Sequence, residues 1–163
     1  MKKFADSLQK VQIAVGGLFL SIFLLAVVIQ MVCRYLGIAA MWTEDVSMYS
    51  FIWAVFMGAG AMVHADAHFA FTSVSDMIKD RRAKRILHIV ISLIMLVFSV
   101  LMCWYGAQVT RQFWHYKWIN IPQFDRGPTW ICMPLCGLTS AFYLVQHIVE
   151  DIGILVRGEE ASC

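Results

Sequence analysis

VQIAVGGLFLSIFLLAVVIQMVC, residues 11–33, runs for 23 positions without one Asp, Glu, Lys, Arg or His. As a helix it rises about 34 Å at about 1.5 Å per residue, enough to cross a hydrocarbon core of about 30 Å. Three more uncharged stretches follow, at residues 46–63, 89–110 and 127–146. The composition fits: 60% of the 163 residues are apolar and 15% charged, against roughly a quarter charged in a soluble domain. The expectation is an all-α integral membrane protein. One domain over residues 1–163 holds four transmembrane helices, at about 11–35, 44–64, 86–110 and 129–149. Lys2 and Lys3 imitate the positive start of a signal peptide. The apolar stretch behind them exceeds the 7–15 residues of a secretory core, so it reads as a retained first span.

Residues 1–10 read as a short polar arm before span one. Gly16-Gly17 near the start of that span offers close approach to another helix. Gln30, a strongly polar side chain inside it, is expected to bond to a neighbouring helix. Thr43 reads as the N-cap of span two, which puts Glu44 and Asp45 in its first turn, where the helix dipole favours acids. Within span two, Gly58-Ala59-Gly60-Ala61, and Ala54 with Gly58, have small-residue spacing that permits helix contact. The polar segment 65–85 contains Ser73 and Asp76 at capping-box spacing, a short surface helix between spans two and three. Residues 111–128 form a loop rich in Trp, Tyr and Pro, and Pro134 lies where a missing N–H costs least.

Orientation follows from the basic residues. With a cytoplasmic N-terminus, nine of the 13 Lys and Arg lie inside, from Lys2, Lys3 and Lys10 through the 79–85 cluster to Arg157. Four lie outside: Arg34, Arg111, Lys117 and Arg126. The positive-inside rule then gives an N-in, C-in chain, with Trp42, Trp104, Trp114, Trp118 and Trp130 as an outer aromatic belt.

The spans exclude several functions. Carriers and pumps keep ionisable groups at membrane depth, and transporter sites use broken helices near the midplane. These spans have no ionisable acid or base, so this chain alone is not expected to move a polar solute. No Walker loop, dinucleotide fingerprint or nucleophile–base pair is present, and an enzyme is not expected. Cys33, Cys103, Cys132, Cys136 and Cys163 lack a metal-ligand spacing. A net charge of +2 spread between spans fits membrane lipids and not nucleic acid. His64, His68, His88 and His147 fall at one end of the spans, which leaves a second reading: a haem- or quinone-associated anchor of a respiratory redox complex.

Arg34-Tyr35, then Trp42-Thr43-Glu44-Asp45, Trp53, Phe56-Met57-Gly58-Ala59 and finally His68 stand in one order across two spans. In this the chain resembles the small membrane subunit of tripartite ATP-independent periplasmic (TRAP) transporters, the DctQ/SiaQ type. The family pattern often has two glutamates where this chain has Glu44-Asp45, and commonly a basic residue where Met48 stands. The resemblance implies a bacterial inner-membrane complex in which a large membrane subunit holds the substrate and sodium sites. A periplasmic substrate-binding protein delivers an organic acid, and the small subunit is a fixed scaffold with no cofactor of its own. Arg34, Tyr35, Trp42, Glu44, Asp45, Ala54, Gly58, Ala61 and His68 are the candidate contacts with a partner or within the hairpin. Among them, an ion pair from Arg34 to Glu44 or Asp45, ten or eleven positions on, is the expected lock between spans one and two.

Overall fold

The structure, a computed structural model, describes residues 2–65 and 81–157. It is built of helices α1 (Lys2–Tyr35), α2 (Trp42–His64), α3 (Arg81–Gln112), α4 (Gly127–Trp130) and α5 (Cys132–Arg157). Four segments are long and apolar enough to cross a membrane: Lys3–Tyr35, Trp42–His64, Ile86–Gln112 and Gly127–Gly153. This is the expected all-α, four-span architecture. The expected surface helix at Ser73, and His68 with it, lie outside the described residues.

Two boundaries differ from expectation. Residues 3–10 are no separate arm but the first turns of α1, because their apolar members have inner partners. Ala5 is fully buried, and Phe4 meets Phe142 of α5 edge-on at 6.0 Å. Thr43 is not the N-cap. Helix α2 starts at Trp42, and the Thr43 hydroxyl donates back to the Ala40 carbonyl at 2.6 Å.

The helices stand in a row. Helix α1 packs on α2, α2 on α5 and α5 on α3, so α2 and α5 are central and α1 and α3 flank them. At one end, the base, lie Ala5, Val63, Tyr143 and Leu144, a buried apolar cluster. At the other, the cap, lie the 36–41 turn and the 113–126 loop. The turn is a glycine-ended helix stop. Gly37 has φ +72°, the Ile38 N–H donates to the Cys33 carbonyl at 2.9 Å, and the Gly37 N–H donates to the Arg34 carbonyl at 3.2 Å. That is the Schellman pattern, which favours glycine at the left-handed position.

Small residues set the seams, since helix contact in lipid depends on close packing and hydrogen bonds. Gly16 of α1 sits against α2, where a Cβ would be 3.4 Å from the Met57 Cβ and 3.5 Å from the Ala54 carbonyl; at Gly17 it would meet nothing within 4 Å. Phe19 stacks on Trp53 with ring centroids 5.1 Å apart. Between α3 and α5 the backbones come closer still. A Cβ on Gly137 would lie 2.7 Å from the Cys103 nitrogen and 2.8 Å from the Ser99 oxygen, and one on Gly106 would lie 3.0 Å from the Met133 Cβ.

The base end is also held by polar contacts. Gln12 of α1, 3% exposed, donates through Nε2 to Thr139 Oγ1 at 2.8 Å and accepts from the Tyr143 hydroxyl at 2.9 Å. Its amide crosses the face of α2 at Gly60, where a Cβ would be 2.8 Å from Nε2. Gln9 Nε2 donates to the Ala61 carbonyl at 3.1 Å. His64 Nε2 and Asp6 Oδ1 are 2.8 Å apart, and His88 Nδ1 and Asp151 Oδ2 are 2.6 Å apart. Gln30, expected to bridge helices, makes no hydrogen bond to another helix among the described residues; Gln12 does so instead.

Gly137→Ala is expected to lower stability by about 1–3 kcal/mol, because its Cβ meets backbone and the seam must part. Gly17→Ala, which meets nothing, is expected to leave it unchanged. Thermal unfolding of both variants in detergent, followed by circular dichroism, checks the pair; equal midpoints would show that the α3–α5 seam is not tight.

Candidate partner-binding surface

The candidate contacts fall into three groups along α1 and α2. The first is at the cap, where Arg34 ends α1 and the acids begin α2. The adjacent acids diverge, because successive helical residues are turned about 100° apart. Glu44 is exposed, while Asp45 is 3% exposed and faces the 113–126 loop. Its Oδ2 accepts the Asn120 backbone N–H at 2.7 Å. Arg34 is exposed and forms no ion pair with either acid among the described residues. The expected Arg34 lock between spans one and two is therefore replaced by a different one, an aspartate holding a distant loop.

That loop is shaped to reach Asp45. The Trp118 N–H donates to the Phe124 carbonyl at 3.0 Å, and the Arg126 N–H to the Tyr116 carbonyl at 2.7 Å. Lys117 and Asp125 face each other across a single antiparallel bridge and pair through their side chains. Asn120 sits at the tip of this narrow turn. One helical turn below Asp45, the Tyr49 ring lies 4.6 Å from the Trp118 ring, which in turn is 5.5 Å from Phe124. The loop thus folds over the start of α2. At its end Gly127 lets Trp114 lie flat, since a Cβ there would be 2.7 Å from the indole Cε3. The sequence signal for this anchor was an acid in a first turn; no local spacing links it to a backbone amide 75 positions away.

Second come the ring-bearing residues beside the cap. Tyr35, 92% exposed, and Trp42, 46% exposed, point away from the helix row. They stand at the ends of two membrane-length helices, where amphipathic rings are favoured.

Third is the small-residue face of α2. Ala54 and Gly58 meet Gly16 of α1 through backbone atoms, and Ala61 is buried. Gly58 has two sides. Its nitrogen would be 3.5 Å from a Gly16 Cβ, but its own missing side chain points where nothing lies within 4 Å. Residues 54, 58 and 61 therefore serve the α1–α2 seam and leave a shallow open notch at Gly58. His68 lies outside the described residues.

Two of the base histidines are engaged by aspartates. His64 uses Nε2 for Asp6 and His88 uses Nδ1 for Asp151, so neither offers that nitrogen to an iron. Among the described residues, no three or more His, Cys, Asp or Glu side chains converge as a metal site.

A family model described as "Tripartite ATP-independent periplasmic transporters, DctQ component" matches residues 23–153. The chain belongs to the DctQ family. The matched region holds the cap-side end of α1, from residue 23, all of α2, α3 and α4 with the cap, and most of α5. DctQ proteins are components of transporters, not an enzyme family. The chain is also similar to a Haemophilus influenzae protein whose name assigns it provisionally as a TRAP transporter small permease protein. The two are 24% identical over 117 residues, 72% of this chain and 71% of that protein. As a DctQ-family member the chain is a TRAP transporter small subunit.

Removing the cap anchor has a local consequence. A hydrogen bond to a buried charged group is worth about 1.5–3 kcal/mol. Asp45→Ala is therefore expected to speed amide exchange across residues 116–126 by roughly ten- to a hundredfold, with α5 unchanged. Glu44→Ala is expected to change neither. Hydrogen–deuterium exchange read by mass spectrometry checks this; a cap that exchanges no faster in Asp45→Ala would show that other contacts hold it.

Proposed function

We propose that this chain is the fixed scaffold subunit of a sodium-driven TRAP transporter in the bacterial inner membrane, with the N- and C-termini cytoplasmic. It would support a large membrane subunit that carries the sodium ions and the substrate, an organic acid handed over by a periplasmic binding protein. The observation that carries this reading is the family match over residues 23–153. The physics of the chain supports it. The uncharged stretches at the middle of the spans, residues 11–33, 46–63, 89–110 and 127–146, hold no Asp, Glu, Lys, Arg or His. Four helices in a single row enclose no lumen, and the buried hydroxyls and amides of Gln12, Thr139 and Tyr143 are spent on one another. A polar solute crossing this chain alone would find no partners at depth.

The scaffold role needs a contact with the large subunit. The Gly58 notch and the exposed cap residues Arg34, Tyr35, Trp42 and Glu44 are the proposed contacts. Gly58 is informative because the chain's own packing leaves space there. A side chain added at Gly58 would disturb a neighbour from outside the chain and leave the row itself intact.

Reconstitution tests the role. In proteoliposomes with a sodium gradient, the chain alone is expected to import no organic acid. Import is expected only with the large subunit and binding protein added. Gly58→Leu is expected to lower the yield of co-purified large subunit by several-fold while the thermal midpoint of the isolated chain stays the same. Uptake by the chain alone would refute the scaffold role. An unchanged yield in Gly58→Leu, Arg34→Gln and Glu44→Gln would move the contact elsewhere on the row.

A further inference from the structure

A second polar feature of the cap lies on the opposite flank from Arg34, between α3 and α5. A groove of about 370 Å³ is lined by Ala107, Thr110, Arg111, Trp114, His115 and Pro134. Its walls are fixed by glycine contacts. Trp114 lies on Gly127, and Pro134 lies on Gly106, where a Cβ would be 3.0 Å from the proline nitrogen. The Thr110 hydroxyl donates to the Gly106 carbonyl at 2.8 Å, so its proton is not available to an occupant. The polar groups left are Arg111 and His115, one helical turn apart in sequence, with the Trp114 indole between them. Both are exposed, and neither side chain makes a hydrogen bond or ion pair among the described residues. No carboxylate lines the groove.

We propose that this groove is a binding site for a phospholipid with a net negative headgroup. The phosphate sits on the Arg111 guanidinium and a His115 ring nitrogen, and the start of an acyl chain lies along Ala107 and Pro134. Three observations favour a lipid. Arg111 is in the last turn of a membrane-length helix, the depth at which headgroup phosphates lie. On the α3 face that carries Arg111 and Ala107, the residues about two and three turns inward, Trp104 and Val100, are apolar and exposed, so the site continues into a surface that accepts a hydrocarbon chain. The absence of an acid removes any partner for the ammonium of a zwitterionic headgroup. A second cap groove, of about 470 Å³ between Phe19, Trp53 and Phe124, differs on this point, since it contains Asp125, which is paired with Lys117.

The full chain, purified in detergent and exchanged with equimolar phosphatidylglycerol and phosphatidylethanolamine, provides the test by native mass spectrometry. Wild type is expected to retain phosphatidylglycerol several-fold over phosphatidylethanolamine. In the Arg111→Gln, His115→Gln double variant that preference is expected to fall about fivefold, the effect of about one lost cation near an anionic lipid. Arg111→Lys is expected to keep most of it. Lys117→Gln, which removes the cap cation paired with Asp125, away from this groove, is expected to keep all of it, and so separates a site from general surface charge. Equal retention of the two lipids by wild type would overturn the proposal, as would an equal loss in Lys117→Gln. If the double variant retains lipid normally but loses the co-purified large subunit, the groove belongs to an acidic side chain of that partner and the lipid site is refuted.

Discussion

A glutamine amide inside an apolar helix row must have partners for both its ends, because no water is at hand and each unmet polar group costs several kcal/mol. Gln12 satisfies this by crossing α2 to reach Thr139 and Tyr143 of α5. It can cross only because Gly60 has no side chain in its way. One residue thereby ties α1 to α5, helices that are not neighbours in the row, and fixes the register of α2 between them. The other base contacts, Asp6 with His64 and Gln9 with the Ala61 carbonyl, fall on the same faces of α1 and α2. They add to a register that the glutamine already sets.

At the cap the corresponding constraint is Asp45. Its carboxylate takes a backbone amide from the 113–126 loop, and Tyr49 and Trp118 seal the contact below it. The row is thus clamped at both ends: by side chains between helices at the base, and by a loop folded over a helix start at the cap. Between the clamps the seams are glycine and small hydroxyl residues, such as Gly137 against Ser99 and Cys103. Every one of these polar groups holds helices together, and none is left facing a path for a solute. This fits the proposed scaffold role: polarity fixes shape, and the broad apolar flanks of α1 and α3 are left exposed.

The spans were legible in the sequence because a run of 23 uncharged residues has one physical interpretation. The family was legible in the order of Arg34-Tyr35, Trp42-Thr43-Glu44-Asp45 and the Gly58 stretch, and the match over residues 23–153 agrees. What the sequence did not disclose was which of two adjacent acids turns inward. Glu44 and Asp45 are equivalent as first-turn acids, and only the long-range position of Asn120 separates them. Gln12 was hidden for a related reason. Its partners Thr139 and Tyr143 lie 127 and 131 positions away, so no local spacing marked it, and the expectation fell on Gln30. The polar arm was misjudged because three apolar residues, Phe4, Ala5 and Leu8, were too few to read as a helix face, yet Ala5 and Leu8 join the buried cluster at the base.

The central claim is that this helix row keeps its shape while the partner subunit works. It is tested most directly by pulsed electron–electron resonance between spin labels carried on unnatural amino acids at positions 36 and 108. Both positions are exposed and lie on opposite flanks. The measurement is made on the complete transporter with sodium and substrate present and then absent. The account predicts one narrow distance distribution that does not move between the two conditions. A shift of several ångströms, or a second population that appears with substrate, would contradict it and make this chain a moving part.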